Sequence, residues 1–500
     1  MTQTKCVSGC KGFDPELCKK APRCSYVSGE QRQYCRLGRT FKMKKTDCSI
    51  HRKTSKNQKG LIIKKFMKDT TVKRRTEFLK AVCDDSGVCI ALGTNRQKIL
   101  DFFDGFTSFE HVKPPIVAIG KPSSNGFVKA IQYEKGGYIS HAVLKSSTKQ
   151  DADNLGYEYL VGKFLNKQCT YFPCFLETYG LFYYKDDAKW QHAMDTKVIT
   201  TNVLKESLDL QTDEYDYKRM CNDAKRAAIM IQHLKGVKTL GEYMSDWRPQ
   251  FTNVCIRDLI HILYQVYFPL SVLSKKFTHY DLHEHNILLY EPDSTKYIQY
   301  HYHGNGETVK FKSNFMVKII DYGRSFFDDT NVTNSEKIYE SVRKDCIYRG
   351  EYDGFTYMDR RNLAENSYIC SSKNNPSHDL RLLNIIGRTA KRLKVNFADP
   401  KYDEMLSFLE HLFDNTEYGV GLSASMQKEY YLYGTRANPK SGFTKTQTKV
   451  NNVVDAERLL RDGMPIFADY NEKIYGNRAK LGDIHVYSDG TPMRFAPVIS

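Results

Sequence analysis

The sequence predicts an α+β chain of two lobes, a small antiparallel β-sheet lobe followed by a larger helical lobe, behind a basic, cysteine-rich amino-terminal extension. Three observations predict it. From about residue 115, the short alternating runs PPIVAIG, GFVKAIQYE and GYISHAVLKSS follow one another with Gly136-Gly137 as a turn, the pattern of an antiparallel meander. Farther on, RDLIHILYQVYFPLSVLSKK repeats apolar residues at helical spacing and leads into FTHYDLHEHNILLY, which reads as a polar loop entering a buried strand. Charge is lopsided: in residues 1–80, 22 Lys and Arg stand against 6 Asp and Glu, so this arm carries +16 of the net +17.

With 500 residues, 41% of them hydrophobic and 13% aromatic, the chain reads as soluble and globular, with a core sized for two or three domains. The start, MTQTKCVSGCKG, has no apolar signal core, and no run of eighteen apolar residues occurs, so an intracellular protein with no membrane partner is expected. Residues 1–60 form the basic Cys-rich module, where Cys6, Cys10, Cys18, Cys24, Cys35 and Cys48 crowd together with His51 close behind. Their density points to a metal knot or a disulfide-stapled module. An intracellular setting favours zinc (Zn2+), although the paired CxxC spacing of a zinc site is missing. The other eight cysteines are scattered singly and are expected to be small buried hydrophobes. The arm's charge suits contact with nucleic acid or another polyanion, or simple solvation.

Residues 61–114 read as a linker and basic helix, with Leu61, Phe66, Val72, Phe78 and Leu79 on the helical part. The sheet lobe spans 115–235. Within it, NLGYEYLVGKFLNKQC suits a helix, and FLETYGLFYY and RAAIMIQHLKG suit apolar strands. The helical lobe spans 236–420, and 421–500 extends it. Between Asn286 and Asp321, EPDSTKYIQYHYHGNGETVKFKSN reads as an extended hairpin tipped at His303 to Gly306, a tolerated surface insertion.

In the polar loop FTHYDLHEHNILLY, His279, Asp281, Leu282 and Asn286 match the HxDLxxxN catalytic loop of the protein-kinase superfamily. Downstream, VKIIDYG sets Asp321, Tyr322 and Gly323 after an apolar run, similar to the metal-binding DFG motif with Tyr for Phe; upstream, HAVLK ends a strand on Lys145, similar to the VAIK lysine. The chain resembles this superfamily over about residues 115 to 400. EYLVGKFLNK, FPCFLETYG, IQHLKGVKTL and SHDLRLLN further resemble serine/threonine kinases of large cytoplasmic DNA viruses such as iridoviruses. The resemblance implies a bilobal protein-kinase-like fold, with a kinase N-lobe at 115–235 and a C-lobe at 236–420. It also implies ATP and Mg2+, protein substrates, and a setting in host cytoplasm or virion. Phosphoryl transfer needs a cation on the phosphates, ligands for magnesium and a carboxylate to orient the attacking hydroxyl. By that logic Lys145 contacts the phosphates, Asn286 and Asp321 bind magnesium, and Asp281 accepts the substrate proton. Glu158 pairs with Lys145, with Glu177 as the alternative. Gly120, Gly126 and Val128 form the phosphate-covering loop, His233, Leu234 and Lys235 fall at the adenine hinge, and Asp379 is similar to the aspartate that anchors the catalytic loop.

Departures keep other readings open. Pro122 stands where a central glycine is usual, and one extra residue precedes Val128. Tyr280 replaces the arginine that receives an activation-loop phosphate, so switching by that route is not expected. Arg324 is the other basic residue placed to receive one. His283, where protein Ser/Thr kinases typically have lysine, is more like haspin-type kinases and small-molecule phosphotransferases of the aminoglycoside- and choline-kinase kind, and the absence of an APE tripeptide keeps the small-molecule reading open. A non-enzymatic pseudokinase scaffold is the third reading, disfavoured by the presence of Lys145, Asp281, Asn286 and Asp321.

Overall fold

The computed structural model describes residues 24–28, 33–37, 96–123, 126–148, 154–211, 217–245, 247–329, 334–345, 353–355, 368–396, 400–418 and 450–497. The chain divides into two compact units, Met1–Glu77 and Phe78–Ser500. Of the first, only the antiparallel hairpin Cys24–Ser28 with Gln33–Leu37 is described. The cysteine and His51 cluster as a whole, and the basic helix expected after Leu61, lie outside the described residues.

The second unit mixes a sheet lobe with a helical lobe. Seven antiparallel strands lie in the order Val198–Ile199, Val112–Ile119, Gly126–Lys135, Tyr138–Ser147, Ala227–Gln232, Thr178–Tyr184, Leu208–Leu210. The central strands bury alternate residues, as a sheet with two unlike faces requires. Helix Asn154–Gln168 packs on one face, and Gly162 makes the close approach: a Cβ there would lie 2.2 Å from Thr178 Oγ1. On the other side of the sheet Ile99, Phe102, Phe103 and Phe106 join Ile116, Ile131 and Leu144 in one apolar cluster. Residues 96–106, read from sequence as part of a linker, therefore belong to the sheet lobe's core. Short local windows hide this because their apolar partners lie on strands that follow later in the chain.

The helical lobe is built around Ile260–Val272, buried from Ile260 through Leu270. A helix apolar on all sides must sit at the centre of its lobe. Helices Arg381–Arg392, Asp403–Asp414 and Val453–Tyr475 belong to the same apolar cluster. Cys169, Cys174, Cys255 and Cys370 are free and buried, as expected of scattered cysteines, whereas Cys221 is disulfide-bonded. No helix among the described residues is long and apolar enough to cross a membrane.

The insertion forms the expected hairpin, Lys296–Gly304 with Glu307–Ser313, turning at Asn305 and Gly306, both of positive φ. It is not, however, a free surface appendage. Lys296–Gly304 also pairs in parallel with Ala479–Tyr487, which pairs with Arg494–Pro497, giving a four-stranded sheet. Tyr300, Tyr302, Phe311, Ile484 and Val486 are buried, with Tyr302 packed edge-on against Tyr264 and Phe268 of the central helix.

His261 of that helix is buried against Phe311, and burial holds its imidazole down at about 4. The unfolded chain, with a histidine near 6.5, binds a proton that the folded chain refuses between those values. Stability therefore falls as pH drops from 6.5 towards 4, with up to about 1.4 kcal/mol per pH unit from this residue. His261→Gln should flatten the decline in urea unfolding free energy between pH 7 and 5; parallel curves for the two proteins would contradict this assignment.

Candidate active site

Lys145 lies near the end of strand Tyr138–Ser147, paired with Val128 on one neighbouring strand and Ile229 on the other. Its Nζ donates to Glu158 Oε2 at 2.7 Å and to Asp321 Oδ1 at 2.9 Å. Glu158 is carried on helix Asn154–Gln168 and is 2% exposed. Glu177 is also buried, but its backbone pairs with Gln232 beside the sheet, so the partner of Lys145 is Glu158 and not Glu177. Burial works against the charge on Lys145, yet Asp321 and Glu158 outweigh it and hold the ammonium protonated. Burial pushes Glu158 up, with Lys145 opposing. Asp321, its side chain 46% exposed, is held down at about 2 chiefly by the neighbouring ammonium.

The loop opposite is fixed from beneath. Asp379, buried, accepts His279 N–H at 2.8 Å on Oδ2 and Tyr280 N–H at 3.0 Å on Oδ1. Burial raises its carboxyl to about 7 against the pull of those two amides. Tyr280 adopts φ +63°, an uncommon conformation for a bulky residue, and the paired amides hold it there. Its ring is fully buried against His378, and its hydroxyl donates to Lys373 O at 2.7 Å. His279 Nδ1 accepts from Asp281 N at 3.2 Å, which leaves Nε2–H to donate to Ile320 O at 2.9 Å. Burial keeps this ring neutral, with its pKa down at about 4. One imidazole thus ties the Asp281 loop to the residue before Asp321.

Asn286 closes the loop, its Nδ2 donating to Asp281 O at 2.9 Å. Strands Ile287–Tyr290 and Met316–Ile319 pair with Ile287 opposite Ile319, so Asn286 and Asp321 emerge from neighbouring strand ends. The buried Tyr322 hydroxyl donates to Ile319 O at 2.5 Å and accepts Leu176 N–H at 3.2 Å, which satisfies the extra oxygen of Tyr over Phe. An Asp carboxylate and an Asn amide oxygen are donors that suit magnesium, which is commonly held by one or two protein ligands together with substrate phosphates.

Asp281 carries a feature missed in the sequence. Arg324 Nη1 donates to its Oδ2 at 3.2 Å, and Arg381 Nη1 donates to its Oδ1. Burial favours the neutral acid, but the two guanidiniums outweigh it and hold the carboxyl below its usual range. Arg324 figured only as a phosphate receiver, and Arg381 not at all; its one sequence signal is its place two residues after Asp379. A cavity of about 220 Å³ beside the loop is lined by His283, His285, Arg381 and Arg388 among others.

Gly120 and Gly126 bracket the turn between the first two long strands. Gly120 takes φ +70°, and a Cβ on Gly126 would meet Ser146 O at 2.3 Å, so both positions call for glycine. Between them Ser123 N–H donates to Gly126 O at 2.9 Å. After strand Ala227–Gln232, His233 N–H donates to His141 O at 3.1 Å, and Leu234 is buried.

No protein-family model matches the chain, and no curated protein does. Among solved structures, WaaP in complex with acyl carrier protein aligns at 12% sequence identity, covering 65% of this chain and 98% of that chain, with a TM-score of 0.23. A likeness that weak says nothing about the site.

Asp379→Ala strands two buried amides, at a cost of roughly 1–3 kcal/mol for each. Denaturant unfolding should register that loss, and amide hydrogen exchange at His279 and Tyr280 should accelerate ahead of the rest of the lobe. Protection unchanged at both amides would show that Asp379 does not anchor the loop.

Proposed function

We propose that this chain is an ATP-dependent phosphotransferase that transfers the γ-phosphate to Ser or Thr hydroxyls of protein substrates. The observation that carries the reading is the Lys145 ammonium shared between Glu158 and Asp321, facing a loop that presents Asp281 and Asn286. A cation fixed between two carboxylates keeps its charge and its aim, which binding of a triphosphate requires. Lys145 holds the phosphates, and backbone amides around Gly120 and Gly126 lie over them. Asn286 and Asp321 are the residues that would hold Mg2+, which when bound neutralises charge on the phosphates. Asp281 accepts the hydrogen bond of the acceptor hydroxyl. As the acceptor oxygen bonds to the γ-phosphorus and the bond to the ADP oxygen breaks, the hydroxyl proton passes to Asp281.

A second reading, a small-molecule phosphotransferase on the same architecture, is favoured by the concave cavity beside Asp281 in which His283 takes part. Labelled γ-phosphate offered to protein and to metabolite mixtures separates the two by where the label goes.

Asp281→Ala should lower transfer by about 10²- to 10⁴-fold while ATP still binds. Lys145→Met and Asp321→Asn should weaken nucleotide binding itself, and chelation of magnesium should stop transfer by the unaltered protein. Radiolabel transfer and nucleotide titration, run side by side, check all four. Full activity in the Asp281 variant would remove that residue from the role.

A further inference from the structure

We propose that Arg381 is a positioning residue that aims the Asp281 carboxylate, so that the fold itself sets the loop for transfer without a phosphate on the segment after Gly323. The inference rests on the phosphotransferase reading of the site. Asp379 fixes the backbone at His279 and Tyr280. A fixed backbone still leaves the Asp281 side chain its own torsions, so its aim must come from whatever touches its oxygens. Two guanidiniums do, with His283 Nε2 farther off at 3.9 Å from Oδ1, and the origins of the two arginines differ. Arg324 belongs to the turn that follows Asp321, whereas Arg381 opens helix Arg381–Arg392, whose Leu382, Leu383 and Ile386 are fully buried. Asp379, two residues earlier, is tied to the central helix through its carbonyl, which accepts the Tyr267 hydroxyl at 2.9 Å. One rigid point of the helical lobe therefore grips the loop twice, by backbone through Asp379 and by side chain through Arg381.

The grip leaves room for chemistry, because a carboxylate offers about four lone-pair sites and the two guanidiniums occupy one on each oxygen. It also accounts for Tyr280. That side chain is fully buried with its hydroxyl on Lys373 O, so it brings no cation towards a phosphate. The positive charge next to Asp281 comes instead from Arg324 and Arg381, both present without modification.

The test compares Arg381→Ala and Arg381→Lys with the unaltered full-length chain. Arg381→Ala should lower kcat for autophosphorylation and for a generic acceptor such as casein by about 100-fold, the scale on which a misplaced reacting group loses rate, with nucleotide affinity unchanged. Added guanidinium ion should restore part of the loss, and Arg381→Lys should fall between. In hydrogen exchange, the amides from Asp281 to Asn286 should exchange faster in Arg381→Ala, while those of His279 and Tyr280 keep their protection. Unaltered kcat and exchange in Arg381→Ala would overturn the proposal, as would a loss that guanidinium does not mend and that comes with faster exchange throughout the lobe. Should Arg381→Ala fail to fold, exchange in Arg381→Lys decides. Phosphatase treatment of the unaltered protein should leave activity intact; silencing would overturn the claim of phosphate independence. Asp281→Ala, assayed alongside, fails separately: if it still transfers phosphate, the phosphotransferase reading falls, whatever Arg381 does.

Discussion

Everything else in the site depends on one ammonium with two carboxylates. Glu158 is almost wholly buried, and a carboxylate removed from water without a partner would be neutral or displaced. Lys145 supplies the partner, and in return is held on its strand pointing away from the sheet. The same ammonium reaches Asp321, which lies on the helical lobe's side of the site. Two consecutive elements of the sheet lobe and a third from 176 residues farther along the chain thus have to agree in position to within a hydrogen bond. Glu158 contributes little to that agreement unless helix Asn154–Gln168 lies close to the sheet, which is why Gly162 admits Thr178 so closely. Asp321 itself takes φ +68°, a conformation that surrounding bonds must maintain.

The second fixed point is Asp379. A buried carboxylate resists ionisation, and the two backbone amides it accepts oppose that resistance. Those amides hold Tyr280 in its strained backbone conformation, and across that turn Asp281 N–H donates to His279 Nδ1. His279 then spans to Ile320, one residue before Asp321. The two fixed points are therefore not independent: one neutral imidazole, fully buried, joins the loop that carries Asp281 to the segment that carries Asp321. A protonated His279 would lose the acceptor that Asp281 N–H uses, so the link is built for the neutral ring.

What could be read from the sequence was whatever is local. The meander of the sheet lobe shows in residues whose alternation repeats within one strand, and the central helix in its unbroken apolar run. Lys145, Asp281, Asn286 and Asp321 stood out because HAVLK, HYDLHEHN and VKIIDYG resemble protein-kinase motifs, and in the structure Lys145 bonds Asp321 while Asn286 bonds the Asp281 carbonyl. The choice between Glu158 and Glu177 could not be made on spacing, since both lie within reach in chain length; it depends on which element faces Lys145. Arg381 was invisible for the same reason. Nothing in SHDLRLLN marks its arginine as aimed at a carboxylate 100 residues away in the chain. Ile99 to Phe106 looked like linker because the strands that bury them come later. The insertion showed its turn but not its partner, since parallel pairing with Ala479–Tyr487 leaves no trace near either strand.

That partner bears on the site. Asn286 precedes strand Ile287–Tyr290 and Asp321 follows Met316–Ile319, so the insertion is a loop hung between the two strands that position Asn286 and Asp321. A long floppy loop would charge its closure entropy to that strand pair, though only as the logarithm of its length. Here the inserted residues instead fold on themselves as a hairpin. The hairpin's Tyr302 is then buried against Tyr264 and Phe268 of the central helix, Tyr300 stacks beside it, and strand Ala479–Tyr487 pairs along the hairpin's other edge. Its two ends leave that small sheet already side by side, in the register that strands 287–290 and 316–319 need. Strands Ala479–Tyr487 and Arg494–Pro497 extend the hairpin's own sheet, and through it they stabilise the register on which the adjacency of Asn286 and Asp321 depends. The insertion and its partner strands are thus part of the frame of the site, and loosening them would be felt first as a slip between those two residues.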